Sequence, residues 1–315
     1  MTAHMSVPPE PQAAAPAQPT GARVVVVTHN PGETLTAFFS SLSAATGATG
    51  ATVEIVMVDN GSTDGAPQAA AASGLGRLVE TGRNLGYGAA ANVGARDARS
   101  PWLVICNPDI EWHPGALDAL LAAGDRWPAA GAFGPAILEP DGTVYPSARA
   151  LPSLRTGVGH ALFARLWPAN PWTRRYRGET DGHERIAGWL SGSCLAIRRE
   201  AFEAIDGFDP GYFMFFEDVD LGHRLAKAGY PSVYVPSATA THLGGHSWRA
   251  RPEPMIGAHH ASAARYLSQR YGAWYQGPVR GVLRAGLALR HRVQVRRVRR
   301  DGRGQRADST DVSRG

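Results

Sequence analysis

The sequence predicts an α/β fold, with a mainly parallel nucleotide-binding sheet flanked by helices and a helical extension at the C-terminus. Three observations carry this reading. Residues 24–27 are an unbroken β-branched run, suited to a strand buried on both faces. Strand-like runs at 53–58, Arg77–Glu80 and Trp102–Cys106 then alternate with helix-compatible stretches at 35–45 and 87–98. That alternation implies right-handed crossovers and parallel pairing. The first, second and fourth runs end in Thr28-His29-Asn30, Asp59-Asn60-Gly61-Ser62-Thr63-Asp64-Gly65 and Asn107-Pro108-Asp109. In such sheets ligands bind beyond the carboxyl ends of the strands. Each cluster alone is also ordinary turn chemistry, because Asn, Asp, Gly and Ser dominate turns.

The second half is less regular. Strands are expected at 143–149, 191–198 and 232–239, and a helix at 217–228. A long Trp-, Arg- and Pro-rich segment occupies 151–187, a length that inside a compact domain points to function or mobility. Residues 1–20, rich in Ala, Pro and Gln, read as a disordered arm. The expected organisation is that arm, a catalytic domain over 21–250, a basic helical segment over 251–300 and a disordered tail over 301–315.

Composition narrows the function classes. With 315 residues and 43% hydrophobic content, the chain can bury one large core or two smaller ones. The net charge of +5 is uneven: ten Arg and one acid fall within 277–306, leaving 22 basic against 26 acidic residues elsewhere. The body is therefore slightly acidic and the tail strongly basic, which bears on partners rather than on fold. Cys106 and Cys194 lie in apolar runs without metal-like spacing, as buried free thiols of a reducing cytosol would. Neither a signal-peptide pattern nor an apolar run long enough to span a bilayer is apparent.

The most informative stretch is Phe215-Phe216-Glu217-Asp218-Val219-Asp220-Leu221. Three carboxylates within four positions repel unless a helix N-terminus, a cation or a transferable proton offsets the cost. An acidic first turn ending at Gly229 is one reading; an acid–base site is the other.

The ordered set of motifs decides between them. Val58-Asp59-Asn60-Gly61-Ser62-Thr63-Asp64-Gly65, Asn84-Leu85-Gly86-Tyr87-Gly88 with Asn92, and Asn107-Pro108-Asp109 are followed by Gly192-Ser193, Gly207-Phe208-Asp209 and Glu217-Asp218-Val219-Asp220. Over roughly 22–245 this series resembles the inverting glycosyltransferases of family 2. The resemblance implies the GT-A fold, a Rossmann-like nucleotide-binding sheet. It also implies an acceptor-side base at Asp218, with Glu217 orienting the acceptor and Asp220 in a supporting role. The aromatic run before them would desolvate Asp218 and raise its pKa.

On the donor side, Asp59 is the expected partner of the pyrimidine ring, with Thr28 and Asn30 beside the nucleoside. Asn84 is expected to touch the nucleotide, and Gly86 to permit close backbone approach. A leaving diphosphate calls for a divalent metal, Mg2+ or Mn2+, anchored by Asp109. Where the family has two Asp flanking one residue, this chain has Asn107-Pro108-Asp109, so a second ligand is needed. His242 is the expected second ligand, by resemblance to relatives such as galactofuranosyltransferases. Gly244-Gly245-His246-Ser247 would let backbone approach the diphosphate.

Within the family, Tyr145-Pro146-Ser147-Ala148-Arg149, Trp167-Pro168-Ala169-Asn170-Pro171-Trp172-Thr173 and Gly188-Trp189-Leu190-Ser191-Gly192-Ser193-Cys194 are similar to actinobacterial rhamnosyltransferases that act on lipid-linked sugars. This implies dTDP-L-rhamnose as donor, a polyprenyl-diphosphate-linked N-acetylglucosamine as acceptor, and a place in arabinogalactan linkage-unit synthesis. Transfer of another sugar, such as galactofuranose from UDP, is the alternative within the family.

Beyond residue 278, Val282, Leu283 and Leu287 recur at helical spacing among Arg280, Arg284 and Arg290, with Gly281 and Gly286 opposing the helix. A basic amphipathic segment suits an anionic membrane surface, giving an enzyme peripheral to the cytoplasmic face of the cell membrane. Two other classes fit less well. Nucleic-acid binding lacks a recognised module and faces an acidic body. A sugar-nucleotidyltransferase needs a basic Gly-rich loop after the first strand, whereas Thr28-His29-Asn30-Pro31-Gly32 has no Lys or Arg.

Overall fold

A computed structural model describes residues 21–46, 52–153, 182–244 and 252–311. The expectations for the 1–20 arm, for the Trp- and Arg-rich stretch 154–181 and for Gly245-His246-Ser247 lie outside the described residues.

The first half forms as its alternation predicts. Strands β1 (Gly21–Thr28), β2 (Thr52–Asp59), β3 (Arg77–Glu80) and β4 (Trp102–Cys106) pair in parallel in the order β3-β2-β1-β4. Helices α1 (Thr34–Ala45), α2 (Ala66–Ala72) and α3 (Tyr87–Ala95) connect them. Val24, Val25 and Val26 are fully buried because both faces of β1 are covered. Helix α3 stops at Ala95, short of the expected 98, and Asp97 turns the chain left-handed at φ 57°. Arg23 reaches the released carbonyls of Gly94, Arg96 and Asp97 while its Nε meets Glu54 at 2.8 Å. This basic group satisfies a helix end that would otherwise leave buried carbonyls unpaired.

Beyond β4 the sheet becomes mixed. It continues through β5 (Ile110–Trp112), α4 (Ala116–Arg126), β6 (Ala132–Leu138), β7 (Val144–Tyr145), β8 (Ala148–Arg149), β9 (Arg185–Ala187), β10 (Trp189–Leu190) and β11 (Cys194–Arg198). Helices α5 (Arg199–Glu203) and α6 (Glu217–Lys227) precede β12 (Ser232–His242). The full order is β3-β2-β1-β4-β11-β6-β12-β5, with β8 and β10 forming a separate ribbon. The strand expected over 143–149 is two short strands broken at Pro146-Ser147, since proline cannot donate to a ladder. β6 and β5 were not anticipated. Pro135 inside β6 sits opposite Val235, where the β6–β12 register shifts, a position that tolerates a missing N–H.

Helix α7 (Pro252–Arg270) and helix α8 (Gly277–Asp311) form the C-terminal extension. Helix α8 extends past 300 to Asp311. The single amphipathic stripe expected there divides in two. Leu283 and Leu287 are half-buried and share the side of His291, which meets His260 of α7 at 5.3 Å. Arg280 and Arg284 bond backward to Tyr271, Ala273 and Ser268. Val279, Val282, Leu289 and Val293 face outward instead, Val282 at 74% and Leu289 at 64% exposure, in line with exposed Tyr275.

Two apolar layers cover the sheet: one contains α1 and α4, the other α3 and α6. Close approach of α3 to the sheet depends on Gly94, where a Cβ would lie 2.4 Å from Val25 and 2.7 Å from Val58. Alanine gains about 1 kcal/mol of helix propensity, but overpacking a core costs about 1–3 kcal/mol. Gly94→Ala is therefore expected to destabilise the protein, read as a lower midpoint in thermal unfolding; an unchanged or higher midpoint contradicts the packing argument.

Candidate active site

Two cavities open at the carboxyl ends of the parallel strands. The first, of about 730 Å³, lies over the ends of β1, β2 and β4 and is lined by His29, Asn30, Asn60, Asn84, Pro108 and Asp109 among others. Its loops are stitched together by polar groups. Asn30, left-handed at φ 51°, donates its N–H to Ser62 and accepts from the Thr63 N–H at 2.7 Å, while the Gly32 N–H donates to Asp64. The Asn60 side chain donates to Asn84 Oδ1 and Gly86 O and accepts from the Leu85 N–H at 2.7 Å.

Asn30, Asn84 and Asp109 thus stand on this wall as expected, but Thr28 and Asp59 do not. Both are buried beneath it, Asp59 at 3% exposure. The Asp59 carboxylate accepts from the Ser62 N–H at 3.0 Å, from Gln68 at 3.3 Å and from the Thr28 hydroxyl. In that position it organises its own turn. Gly86 also acts behind the wall. At φ +88° its Cβ would lie 2.2 Å from Phe213 O, the atom that accepts the Tyr87 N–H.

Asp109 meets His242 through strand pairing. β5 runs antiparallel to β12 with Ile110 opposite His242, which brings the side chain of the preceding Asp109 to the histidine. His242 Nε2 is 3.1 Å from Asp109 Oδ1 and 3.3 Å from Asn107 Nδ2. Burial works against the charged imidazole, but the Asp109 carboxylate outweighs it and raises the His242 pKa. Asp109 Oδ1 is buried and takes no well-directed hydrogen bond from the described residues. An octahedral divalent ion with bonds of about 2.1 Å holds adjacent ligand atoms about 3 Å apart, so this oxygen and nitrogen fit two neighbouring positions. Among the described residues no third His, Cys, Asp or Glu joins them.

The second cavity, of about 460 Å³, is lined by Tyr145, Arg149, Trp189, Glu217, Asp218 and His259 among others. It shares Tyr87, Asn107 and Met214 with the first, so the two meet at those side chains. The carboxylates enter it from the first turn of α6, after a backbone turn that few bulky residues adopt. Phe215 and Phe216 both have φ 64°, a left-handed conformation costly for L-aromatics and sustained only by surrounding contacts. Helix α7 supplies those contacts. Its His259 packs edge-on against both rings at 5.6 and 5.5 Å, and its Ser262 hydroxyl donates to Met214 O at 2.8 Å. Arg265 and Gln269 fasten Asp209 and Tyr212 of the same loop.

The three acids separate by environment. Asp220 is held by Arg224 at 2.6 Å, an i,i+4 pair facing away from the cavity work. Burial raises the Asp218 pKa above the usual carboxylate range, opposed by backbone N–H groups of Gly192 at 3.0 Å and Val219 at 2.8 Å. Burial, then the Asp218 charge, pushes Glu217 up to about 8. Glu217 Oε2 has no hydrogen-bond partner among the described residues. Burial thus favours a proton retained on the pair, while the Gly192 and Val219 N–H groups favour the charged form at Asp218.

Sequence reasoning did not single out Tyr87, Arg149, Trp189 or His259 as site residues. The Tyr87 hydroxyl donates to Gly192 O, fixing the glycine that holds Asp218. Arg149 and Trp189 lay inside quoted motifs and carried a signal; His259, on a helix distant in sequence, carried none.

Residues 23–206 match the family Glycosyl transferase family 2. The chain is similar to an N-acetylglucosaminyl-diphospho-decaprenol L-rhamnosyltransferase of Mycobacterium tuberculosis, 51% identical over 286 residues, covering 87% of this chain and 92% of the relative. Among solved structures it is similar to S. aureus TarS, with a TM-score of 0.53 at 15% identity over 86% of this chain and 43% of that one. It is also similar to GalNAc-T7 crystallised with UDP, GalNAc and Mn2+, with a TM-score of 0.51 at 20% identity over 72% of this chain and 44% of that one. The chain spans less than half of each of these two structures, and the likeness shows the GT-A fold.

The raised Glu217 pKa fixes a pH dependence of stability. Between about 4.5, the unfolded value, and about 8, the folded protein holds a proton that the unfolded chain releases. Stability from this group is thus full below that window and lost as pH rises through it. Glu217→Gln removes the titration, so its thermal midpoint relative to the parent should climb between pH 5 and pH 8. A pH-independent difference contradicts the assignment.

Proposed function

The chain belongs to glycosyl transferase family 2, and on that premise we propose that it transfers L-rhamnose from dTDP-L-rhamnose, with inversion, to the N-acetylglucosamine of a polyprenyl-diphosphate-linked acceptor. The observation that carries this reading is the Asp218 carboxylate, aimed by the Gly192 N–H into a cavity that joins the strand-end cavity at Tyr87, Asn107 and Met214. The strand-end cavity suits the nucleotide, with Asn30 and Asn84 on its wall and Thr28 and Asp59 shaping the loops behind. The smaller cavity suits the acceptor sugar. The N-acetylglucosaminyl-diphospho-decaprenol in the name of the Mycobacterium tuberculosis relative fits the same assignment, and the arabinogalactan linkage unit is the destination that the motif resemblance implies.

Inversion in one displacement forms a bond from the acceptor oxygen to the anomeric carbon while the bond to the diphosphate oxygen breaks. The acceptor hydroxyl proton passes to Asp218, and the nucleoside diphosphate leaves with the bonding pair. Burial that lifts the Asp218 pKa makes it a stronger base than an exposed carboxylate. Protonated Glu217 can donate a hydrogen bond to the acceptor and orient it without adding a second negative charge. A bound divalent cation, Mg2+ or Mn2+, supplies charge neutralisation for the departing diphosphate. Asp109 and His242 would hold it, leaving its other positions to phosphate oxygens and water.

A lipid-linked acceptor places the enzyme at a bilayer. Among the described residues no helix is long and apolar enough to cross one. The outward stripe of α8, formed by Val279, Val282, Leu289 and Val293 with exposed Trp274 and Tyr275 at its head, suits shallow insertion. Flanking arginines each contribute about 1 kcal/mol at an anionic surface. We place the protein peripherally on the cytoplasmic face of the cell membrane on this ground.

Two outcomes check these readings. Asp218→Asn should retain dTDP-donor binding by calorimetry and lose about 10²–10⁴ in turnover with the lipid-linked acceptor; near-normal turnover would sink the base assignment. Flotation with phosphatidylglycerol vesicles should fall sharply in the double substitution Val282→Asp, Leu289→Asp, and undiminished flotation removes α8 as the anchor.

A further inference from the structure

One cation in the acceptor cavity has no role in the scheme above. Arg149, at the end of β8, sits opposite Trp189 of β10 in the antiparallel ribbon. Its guanidinium carbon lies 5.2 Å from the Tyr145 ring centre and 5.5 Å from that of Trp189, so two aromatic rings hold it. The Arg149 Nε donates to Pro146 O at 2.7 Å, and the backbone is pinned by the Gly188 N–H on Arg149 O. The Trp189 indole is fixed in turn by Ala150 O at 3.2 Å. Among the described residues the terminal Nη1 and Nη2 groups have no hydrogen-bond partner, although both belong to a residue on the cavity wall.

A planar guanidinium fixed by stacking and one backbone bond presents a pre-organised fork of donors, the arrangement suited to bidentate binding of phosphate oxygens. A half-buried positive charge of this kind needs an anion. The carboxylate that feels it is Asp218, whose pKa it lowers without forming a salt bridge among the described residues. The donor's diphosphate is assigned to Asp109, which lines only the first cavity, whereas Arg149 lines only the second, whose wall also carries His242. Apolar Ala150, Leu151 and Pro152 continue the same wall and offer an exit for a lipid chain.

We infer that Arg149 is the specificity-determining anchor for the diphosphate of the acceptor, held between Tyr145 and Trp189 while the acceptor sugar lies toward Asp218. This rests on the proposed transfer to a diphosphate-linked sugar, and it adds how that substrate is told from a sugar lacking phosphate. The inference is tested with two acceptors, farnesyl-diphospho-N-acetylglucosamine and octyl β-N-acetylglucosaminide, against the full-length parent, Arg149→Met and Arg149→Lys. The expected result is that Arg149→Met raises KM for the diphosphate acceptor, relative to KM for the octyl glycoside, by about tenfold or more. Lysine, which keeps the charge but not the fork, should recover part of that ratio. Equal losses on both acceptors would overturn the inference, showing a packing role or a general effect on Asp218; so would no loss on either. If the parent transfers to neither acceptor, the proposed function falls and takes this inference with it. Parent transfer with an unchanged ratio defeats the inference alone.

Discussion

Everything at this site depends on the burial of two adjacent carboxylates that cannot both be ionised. Placing Glu217 and Asp218 in one cavity costs free energy, and the neighbouring structure decides where the single charge resides. The Gly192 and Val219 N–H groups favour it on Asp218. The left-handed Phe215–Phe216 turn aims the pair, Gly86 leaves room for the Phe213 carbonyl behind that turn, and α7 clamps the loop from the other side. An adventitious acidic helix start would need none of these supports.

The same logic explains the division of labour between the cavities. In the proposed transfer, negative charge that leaves with the nucleotide would be met at Asp109 and His242, and the proton leaving the acceptor at Asp218. The two centres come from different parts of the sheet: one from the β5–β12 pairing, the other from the start of α6. Tyr87 touches both cavities and also fixes Gly192. A displacement of α3 would therefore disturb donor and acceptor sides together, which gives the close packing at Gly94 a functional consequence.

Helix α8 illustrates how tertiary contact redistributes a sequence pattern. Val282, Leu283 and Leu287 read as one apolar stripe, yet α7 occupies the side that carries Leu283 and Leu287 and leaves Val282 outward. Arg280 and Arg284, which suggested a lipid-facing charge, are spent on the α7–α8 junction. The outward apolar row follows a register visible only once the inner face is known. Asp59 is likewise tied into its surroundings, accepting from the Ser62 N–H in the turn that carries Asn60.

By itself the sequence determined the parallel half of the sheet, because β-branched runs and Gly- and Asn-rich strand ends have few other solutions. It also marked Glu217, Asp218 and Asp220 as a cluster whose repulsion needs an offset, which follows from charge between near neighbours; the roles expected of Asp218 and of a second ligand beside Asp109 came from the resemblance to the family. Only the tertiary structure decided the contacts between residues distant in sequence. These include the meeting of Asp109 with His242, the entry of His259 and Arg149 into the second cavity, and the packing of Asp59 against Thr28 and Gln68. Strand register and helix docking set those distances, and neither is encoded in the periodicity of a single segment. The placement of β6 has the same cause: Pro135 lies in the sheet where the register with β12 shifts.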